Sequence, residues 1–189
     1  MDKMKMMKKE IAYIIVMILF PVFCFGQGNK GKVDDCAPVK DGKVCYTDDI
    51  VMQGASQEAL YEAISSWAKT EYGRDVFVSN VSCNRGRKTI LISSKIELLL
   101  NETDKTYLKY KMYISCYDNN YKVEVTNLTY QYDPDKADRL RVYPAESVIL
   151  NGGKGNIIPS IKNPELFCNA TFFFVEGLLD DVYLAAKKY

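Results

Sequence analysis

The stretch TYLKYKMYISC, residues 106–116, decides the fold because apolar and polar side chains alternate along it. This period of two is typical of a β-strand with one buried face and one open face. One alternate set is mainly apolar and is expected in the core: Leu108, Tyr110, Met112, Ile114 and Cys116. The other set is expected at the surface: Tyr107, Lys109, Lys111, Tyr113 and Ser115. A sheet built around this strand must therefore pack its helices on one face only.

Three further predicted strands flank this stretch in the sequence. They occupy residues 76–81, 89–99 and 121–132, and turn signals lie at 84–86, 101–104 and 118–120. Short turns between consecutive strands favour antiparallel neighbours. The sequence therefore predicts a four-stranded antiparallel meander with one apolar face and one mixed face.

A first strand and a helix precede the meander. Residues 44–52 are expected to form the strand, and Ser56 is a good N-cap for a helix over residues 57–72. The apolar residues of this segment recur at helical spacing, so one face of the helix is expected to be buried, with Trp67 on it. Gly73 ends the helix.

A last helix is predicted over residues 163–187, with Asn163 as its cap and Pro164 at its first position. Residues 133–162, between the meander and this helix, are expected to be a long irregular loop. The order β-α-β-β-β-β-α predicts an α+β protein with two layers. We expect a curved antiparallel sheet of about five strands, with two helices packed on one face and the other face open to solvent or a partner.

Residues 1–26 have the pattern of a secretory signal peptide. Four lysines precede the ten apolar residues of segment 11–20, and the small Gly26 precedes Gln27. The apolar run is shorter than the ~20 residues that a membrane-spanning helix needs. We therefore expect cleavage after Gly26, export to the periplasm or the medium, and no transmembrane segment in the mature protein.

The mature chain, residues 27–189, is expected to form a single domain. Cys24 raises the question of a lipid anchor, because exported lipoproteins are modified on a cysteine at this place. Bulky Phe23 directly precedes Cys24 and argues against this modification. Plain export is therefore the expectation.

Disulfides persist in the oxidising spaces that exported proteins reach. Cys36 and Cys45 are the best candidate pair. A four-residue loop over 39–42 would place them opposite each other in a hairpin, whereas a two-residue loop at Asp41-Gly42 would pair Cys45 with Pro38. The bridge therefore depends on the register of this hairpin. The other three cysteines of the mature chain are expected to be small buried apolar residues: Cys83, Cys116 and Cys168.

Histidine is absent from the chain. This absence excludes Ser-His-Asp triads, Cys-His dyads and histidine-ligated zinc sites. No CxxC spacing is present either, so neither a metal nor a cofactor is expected. The chain has 25 Lys and Arg against 24 Asp and Glu, a formal net charge of +1. This balance gives no electrostatic reason to expect nucleic acid as a partner.

The sequence resembles a family of exported bacterial proteins. The resemblance lies in DGKVCYTDDIVMQGASQEALYEAISSWAKTEYG, residues 41–73, and in the strands KTILISSKIELLL and KYKMYISCYDNNYKVEVTNLTYQY. It covers about residues 41–132 and points to domain of unknown function 4468, which is associated with a fold like that of the TATA-binding protein (TBP-like). The resemblance implies this fold, but it implies no activity and no catalytic residue, because fold does not specify function.

The sequence favours a non-enzymatic binding or interaction domain of the bacterial envelope. The candidate binding residues are those of the expected open face: Tyr107, Lys109, Lys111 and Tyr113. The expected partner is a protein, peptide or glycan of the envelope. One alternative is a hydrolase acting on envelope or dietary glycans through carboxylates or a Ser/Lys pair, and another is a structural subunit of an envelope assembly.

Export has a direct test. Mature protein recovered from outside the cytoplasm is expected to begin within two residues of Gln27, because the apolar run is too short to anchor the chain. N-terminal sequencing or intact-mass measurement of that protein checks the prediction. An intact Met1 on periplasmic protein would contradict cleavage.

Overall fold

Eight strands and three helices make up the described part of the chain. The computed structural model describes residues 37–75, 77–133, 140–150 and 158–189. The predicted signal segment 1–26, Cys24 and Cys36 lie outside the described residues. In chain order the elements are β1 (Val39–Lys40), β2 (Lys43–Val44), β3 (Tyr46–Val51), α1 (Gln57–Tyr72), β4 (Ser79–Asn84), β5 (Thr89–Leu99), β6 (Lys105–Tyr117), β7 (Asn120–Tyr132), β8 (Arg141–Pro144), α2 (Ala145–Ile149) and α3 (Pro164–Ala186).

Strands β4 to β7 form the predicted antiparallel meander. Strand β3 pairs with the first half of β7 and β8 pairs with its second half, which completes a six-stranded sheet. The α+β class is confirmed, although the sheet has six strands rather than about five. The additional strand, β8, lies with α2 in the segment 133–162 that the sequence predicts as an irregular loop. Four residues are too few to show a periodic pattern.

The alternation along β6 is confirmed. Its five apolar-face residues, from Leu108 to Cys116, are at most 2% exposed. Helices α1 and α3 cover this face with apolar side chains such as Leu60, Ile64 and Val182. Burial of one such side chain contributes about 1.5–3 kcal/mol to stability. The opposite face of the sheet carries no helix among the described elements, and it is called the open face below.

Tyr110 joins the sheet to both long helices. Its hydroxyl donates a hydrogen bond to the Tyr72 hydroxyl at the end of α1, over 3.3 Å. Its ring meets the Phe174 ring of α3 edge to face, with 5.2 Å between the ring centroids. Trp67, predicted in the core, is half-buried; it packs against the core and meets the Tyr72 ring edge to face.

The ends of α1 follow the sequence, whereas the start of α3 differs in one respect. The Ser56 hydroxyl accepts a hydrogen bond from the Ala59 N–H, as an N-cap does. Gly73 is required at the other end, because a Cβ there would lie 2.3 Å from the Lys69 carbonyl oxygen. Asn163 is the N-cap residue of α3, as predicted, but its side chain makes no capping hydrogen bond. The N–H of Leu166, the third helical residue, instead donates to the Asn163 backbone carbonyl over 3.2 Å, and Pro164 stands at the start of the helix as predicted.

The cysteines differ from expectation. Strands β1 and β2 are joined by the two-residue turn Asp41-Gly42, and the Cys45 N–H donates to the Pro38 carbonyl over 3.0 Å. This register places Cys45 opposite Pro38, and Cys45 is a free, buried thiol. The structure has the two-residue turn, one of the two registers that the sequence leaves open, and the candidate Cys36–Cys45 bridge does not form. Cys168, expected to be a buried free cysteine, is buried but disulfide-bonded.

The two faces of β6 should respond differently to mutation. Tyr110→Ser is expected to lower the free energy of unfolding by roughly 3–5 kcal/mol, because it leaves a cavity between the sheet and α3. Tyr107→Ser combined with Tyr113→Ser is expected to cost less than about 1 kcal/mol, since both side chains lie on the open face. Chemical denaturation of the variants side by side measures both.

Tyr110→Phe is the matched control, because it removes only the hydroxyl and should cost about 1 kcal/mol. A larger loss in the open-face double variant than in Tyr110→Ser would show that the two faces are assigned the wrong way round.

Candidate binding face

The structure places all four sequence-predicted site residues on the open face of β6, which is the middle strand of the path β3-β7-β6-β5-β4. Lys109 and Tyr113 are exposed, while Tyr107 and Lys111 are half-buried between the neighbouring strands. Their placement follows from the pleat of the strand, and their role in binding stays a prediction.

The register between β5 and β6 brings a further lysine into this set. Lys95 on β5 is directly opposite Lys109 on β6. Like charges directly opposite each other destabilise an antiparallel pair. The Lys95 Nζ atom also lies 4.4 Å from the centroid of the Tyr107 ring, within range of a cation–π interaction. Lys111 lies two positions further along β6 on the same face.

These three lysines line a shallow groove of about 530 Å³ on the open face. We call it the lysine groove. No carboxylate lines it among the residues that the structure describes, and its remaining polar side chains are amides and hydroxyls, among them Asn80 and Asn127. Phe77, just before β4, lies at its rim and is 98% exposed.

A bulge in β7 turns Asn127 towards the groove. Between the pairs Lys109–Thr129 and Lys111–Thr126, strand β7 contains one residue more than β6. Asn127 takes the left-handed φ of +54° in this bulge and is exposed, whereas both of its chain neighbours are buried. Bulges commonly redirect a side chain in this way.

The charge of the lysine groove is not balanced within the described part of the chain. Nearby carboxylates on the same face have other partners: Glu97 pairs with Lys105 over 2.8 Å, and Glu124 pairs with Lys40 over 2.9 Å. None of the described ion pairs includes one of the three groove lysines. The groove therefore offers positive charge to a ligand.

A smaller depression of about 380 Å³ adjoins the groove and shares Asn127 with it. Tyr113 lines this depression and Lys109 and Lys111 line the groove, whereas Tyr107 lines neither site. Asp41 and the ion-paired Glu124 also line it. The two sites together extend along the middle of the open face.

The described thiols are poorly suited to nucleophilic chemistry. Burial raises the pKa of the Cys116 thiol to about 12 and also raises the pKa of Cys45 above its ordinary value. The reactive form of a cysteine is the thiolate, so both groups are protonated near neutral pH. The described residues contain no group of three or more Cys, Asp and Glu side chains placed to hold a metal ion.

No helix within the described ranges is long and apolar enough to cross a membrane.

Most groove residues are absent from the sequence-predicted set, and Lys95, Asn127 and Phe77 show why. Lys95 could have been included, because it occupies the polar phase of the β5 alternation. Asn127 depends on a bulge, which no local pattern reveals. Phe77 was expected inside a strand over 76–81, but β4 begins only at Ser79.

The chain is similar to one family model and to two solved structures. The family model described as a domain of unknown function (DUF4468) with TBP-like fold matches residues 46–131. A TBP-like protein from Parabacteroides distasonis is 54% identical, with a TM-score of 0.78, over 81% of this chain and 98% of that one. A DUF4468 family protein from Bacteroides ovatus shares the fold at 20% identity, with a TM-score of 0.66, over 80% of this chain and 90% of that one.

No curated protein matches the chain. The extent of the first structural match and the family model agree with the resemblance that the sequence predicts. The chain belongs to the family of the domain of unknown function DUF4468, which has a TBP-like fold.

Proposed function

We propose that this protein is exported and that its folded domain is a non-enzymatic binding module for a component of the bacterial envelope. The open face makes the contact. The observation that carries this proposal is the lysine groove, where Lys95 and Lys109 lie directly opposite each other and none of the described lining residues is a carboxylate.

Folding gives no reason for this arrangement. Opposed like charges lower the stability of a sheet, and exposed side chains contribute little to it. The helices and the core lie on the other face, so the groove lysines pack on neither; Lys95 contacts only the Tyr107 ring of the open face among the described ring contacts. A negatively charged partner on the open face would offset the repulsion between them.

The disulfide at Cys168 supports export, because disulfides persist in oxidising compartments such as the periplasm. The signal-peptide pattern of residues 1–26 agrees with it. Both observations favour a site of action outside the cytoplasm.

The two alternatives have less support. A carboxylate-based glycoside hydrolase needs two carboxyl groups about 5–10 Å apart beside the scissile bond. The described lining of the lysine groove includes no carboxylate. Asp41 and Glu124 line the adjoining depression, but Glu124 is ion-paired with Lys40. A structural subunit would use a surface suited to another protein. The exposed Phe172 and Phe173 on α3 are the observation that favours this alternative.

Amine acetylation in the presence of envelopes tests the proposal. Mature protein is mixed with cell envelopes of Parabacteroides distasonis, the source of the 54%-identical relative, and labelled with an amine-reactive acetylating reagent. Lys95, Lys109 and Lys111 are expected to react several-fold more slowly than in free protein, because a bound partner covers them. Mass spectrometry of proteolytic fragments measures the rate at each lysine.

Lys122 is the internal control, since it is exposed on the same face but does not line the groove. Its rate should change little. Protection at Lys187 and Lys188 near the end of α3, without protection of the groove lysines, would assign the contact to the helical side and contradict the proposal. Unchanged rates at every lysine would contradict it as well.

A further inference from the structure

The lysine groove combines positive charge with groups that both donate and accept hydrogen bonds. Its side chains include the amides of Asn80 and Asn127 and the hydroxyls of Ser93 and Thr129. A small anion such as phosphate needs donors only, and lysine ammonium groups supply them. Amides and hydroxyls match a ligand that also has hydroxyl groups of its own.

Phe77 adds an apolar surface beside these polar groups. It is 98% exposed, so its ring packs on almost nothing in the folded protein. The flat apolar face of an aromatic ring suits the C–H face of a sugar ring. An exposed aromatic ring at the rim of a polar groove therefore favours a carbohydrate over a simple ion.

An extended acidic peptide fits this place less well. Such peptides usually add to a sheet edge, where free main-chain groups bind them. The groove lysines lie on β5 and β6, and each of these strands is already paired with a neighbour on both sides. Strand β4 is the edge of the path β3-β7-β6-β5-β4, and a peptide strand added to it would lie about 10 Å from β5 and about 14 Å from β6, away from the strands that carry the lysines. The groove therefore favours a ligand recognised through its own substituents.

We propose that the lysine groove binds an acidic glycan, in which sugar carboxylates contact the three lysines and sugar hydroxyls contact the amides and hydroxyls. This inference rests on the proposed function, because it names the ligand class of the same face. The volume of about 530 Å³ lies within the ~300–1,000 Å³ that ligand clefts commonly have.

Titration calorimetry with hexagalacturonate, a carboxylate-bearing sugar chain, tests the inference on the mature protein. We expect binding that weakens between 50 mM and 500 mM NaCl, as screening of exposed charges requires. Lys109→Gln combined with Lys111→Gln should weaken it by at least about tenfold, because two charge-assisted contacts are lost. Lys122→Gln on the same face should leave it unchanged.

Two further probes fix the ligand class. A neutral galactose hexamer and a hexaglutamate peptide are expected to bind at least about tenfold more weakly than hexagalacturonate. The galactose hexamer lacks the carboxylates, and the peptide lacks the sugar hydroxyls. Equal binding of either probe, or equal binding of hexagalacturonate to the double variant, would overturn the inference. No binding of hexagalacturonate would also overturn it, while the proposed function would stand if envelopes still protected the groove lysines from acetylation. If envelopes gave no protection either, both proposals would fall together.

Discussion

The pleat of β6 is the constraint on which the rest of the structure depends. Successive side chains of a strand point to opposite faces, so a shift of one residue would exchange the core and the surface. In this strand the shift would bury Lys109 and Lys111 and expose Ile114, and the cost of burying charge forbids it. Helices α1 and α3 consequently share the single apolar face. The open face exists because the domain has no further long helix, among its described elements, to cover it.

Local signals decide which parts of this fold can be predicted from sequence. The 16 residues of α1 agree with prediction because Ser56, Gly73 and a regular apolar spacing all lie within one segment. The alternation of β6 is equally local. Strand β8 depends on pairing with β7, and the bulge at Asn127 depends on the register of two strands. Such long-range features are not visible in a local sequence pattern. The disulfide state of Cys168 likewise depends on tertiary structure rather than on spacing.

The candidate site also combines features that a local pattern predicts with features that depend on tertiary structure. Four residues of β6 could be placed on the open face from their periodicity alone, and the structure places them there. The charge pattern could be recognised only in the structure, because the pairing of Lys95 with Lys109 follows from the strand register. Family membership adds the fold and leaves the ligand open, since a fold hosts many functions. The lysine groove favours a binding role because its opposed charges reduce stability and have no carboxylate partner within the described residues.

The free energy of unfolding of Lys109→Glu, measured in denaturant at low salt, tests this central claim most directly. The substitution changes the cross-strand pair of Lys95 and residue 109 from two like charges to two opposite charges. The free energy of unfolding should therefore rise by up to about 1 kcal/mol. The control variant Lys122→Glu should lower stability, because residue 122 pairs with Asp49 across the strands and the substitution places two like charges opposite each other. The gain in Lys109→Glu should shrink in 1 M NaCl, where surface charges are screened. A loss of about 1 kcal/mol or more in Lys109→Glu would contradict the account, because it would mean that Lys109 serves the fold and not a ligand.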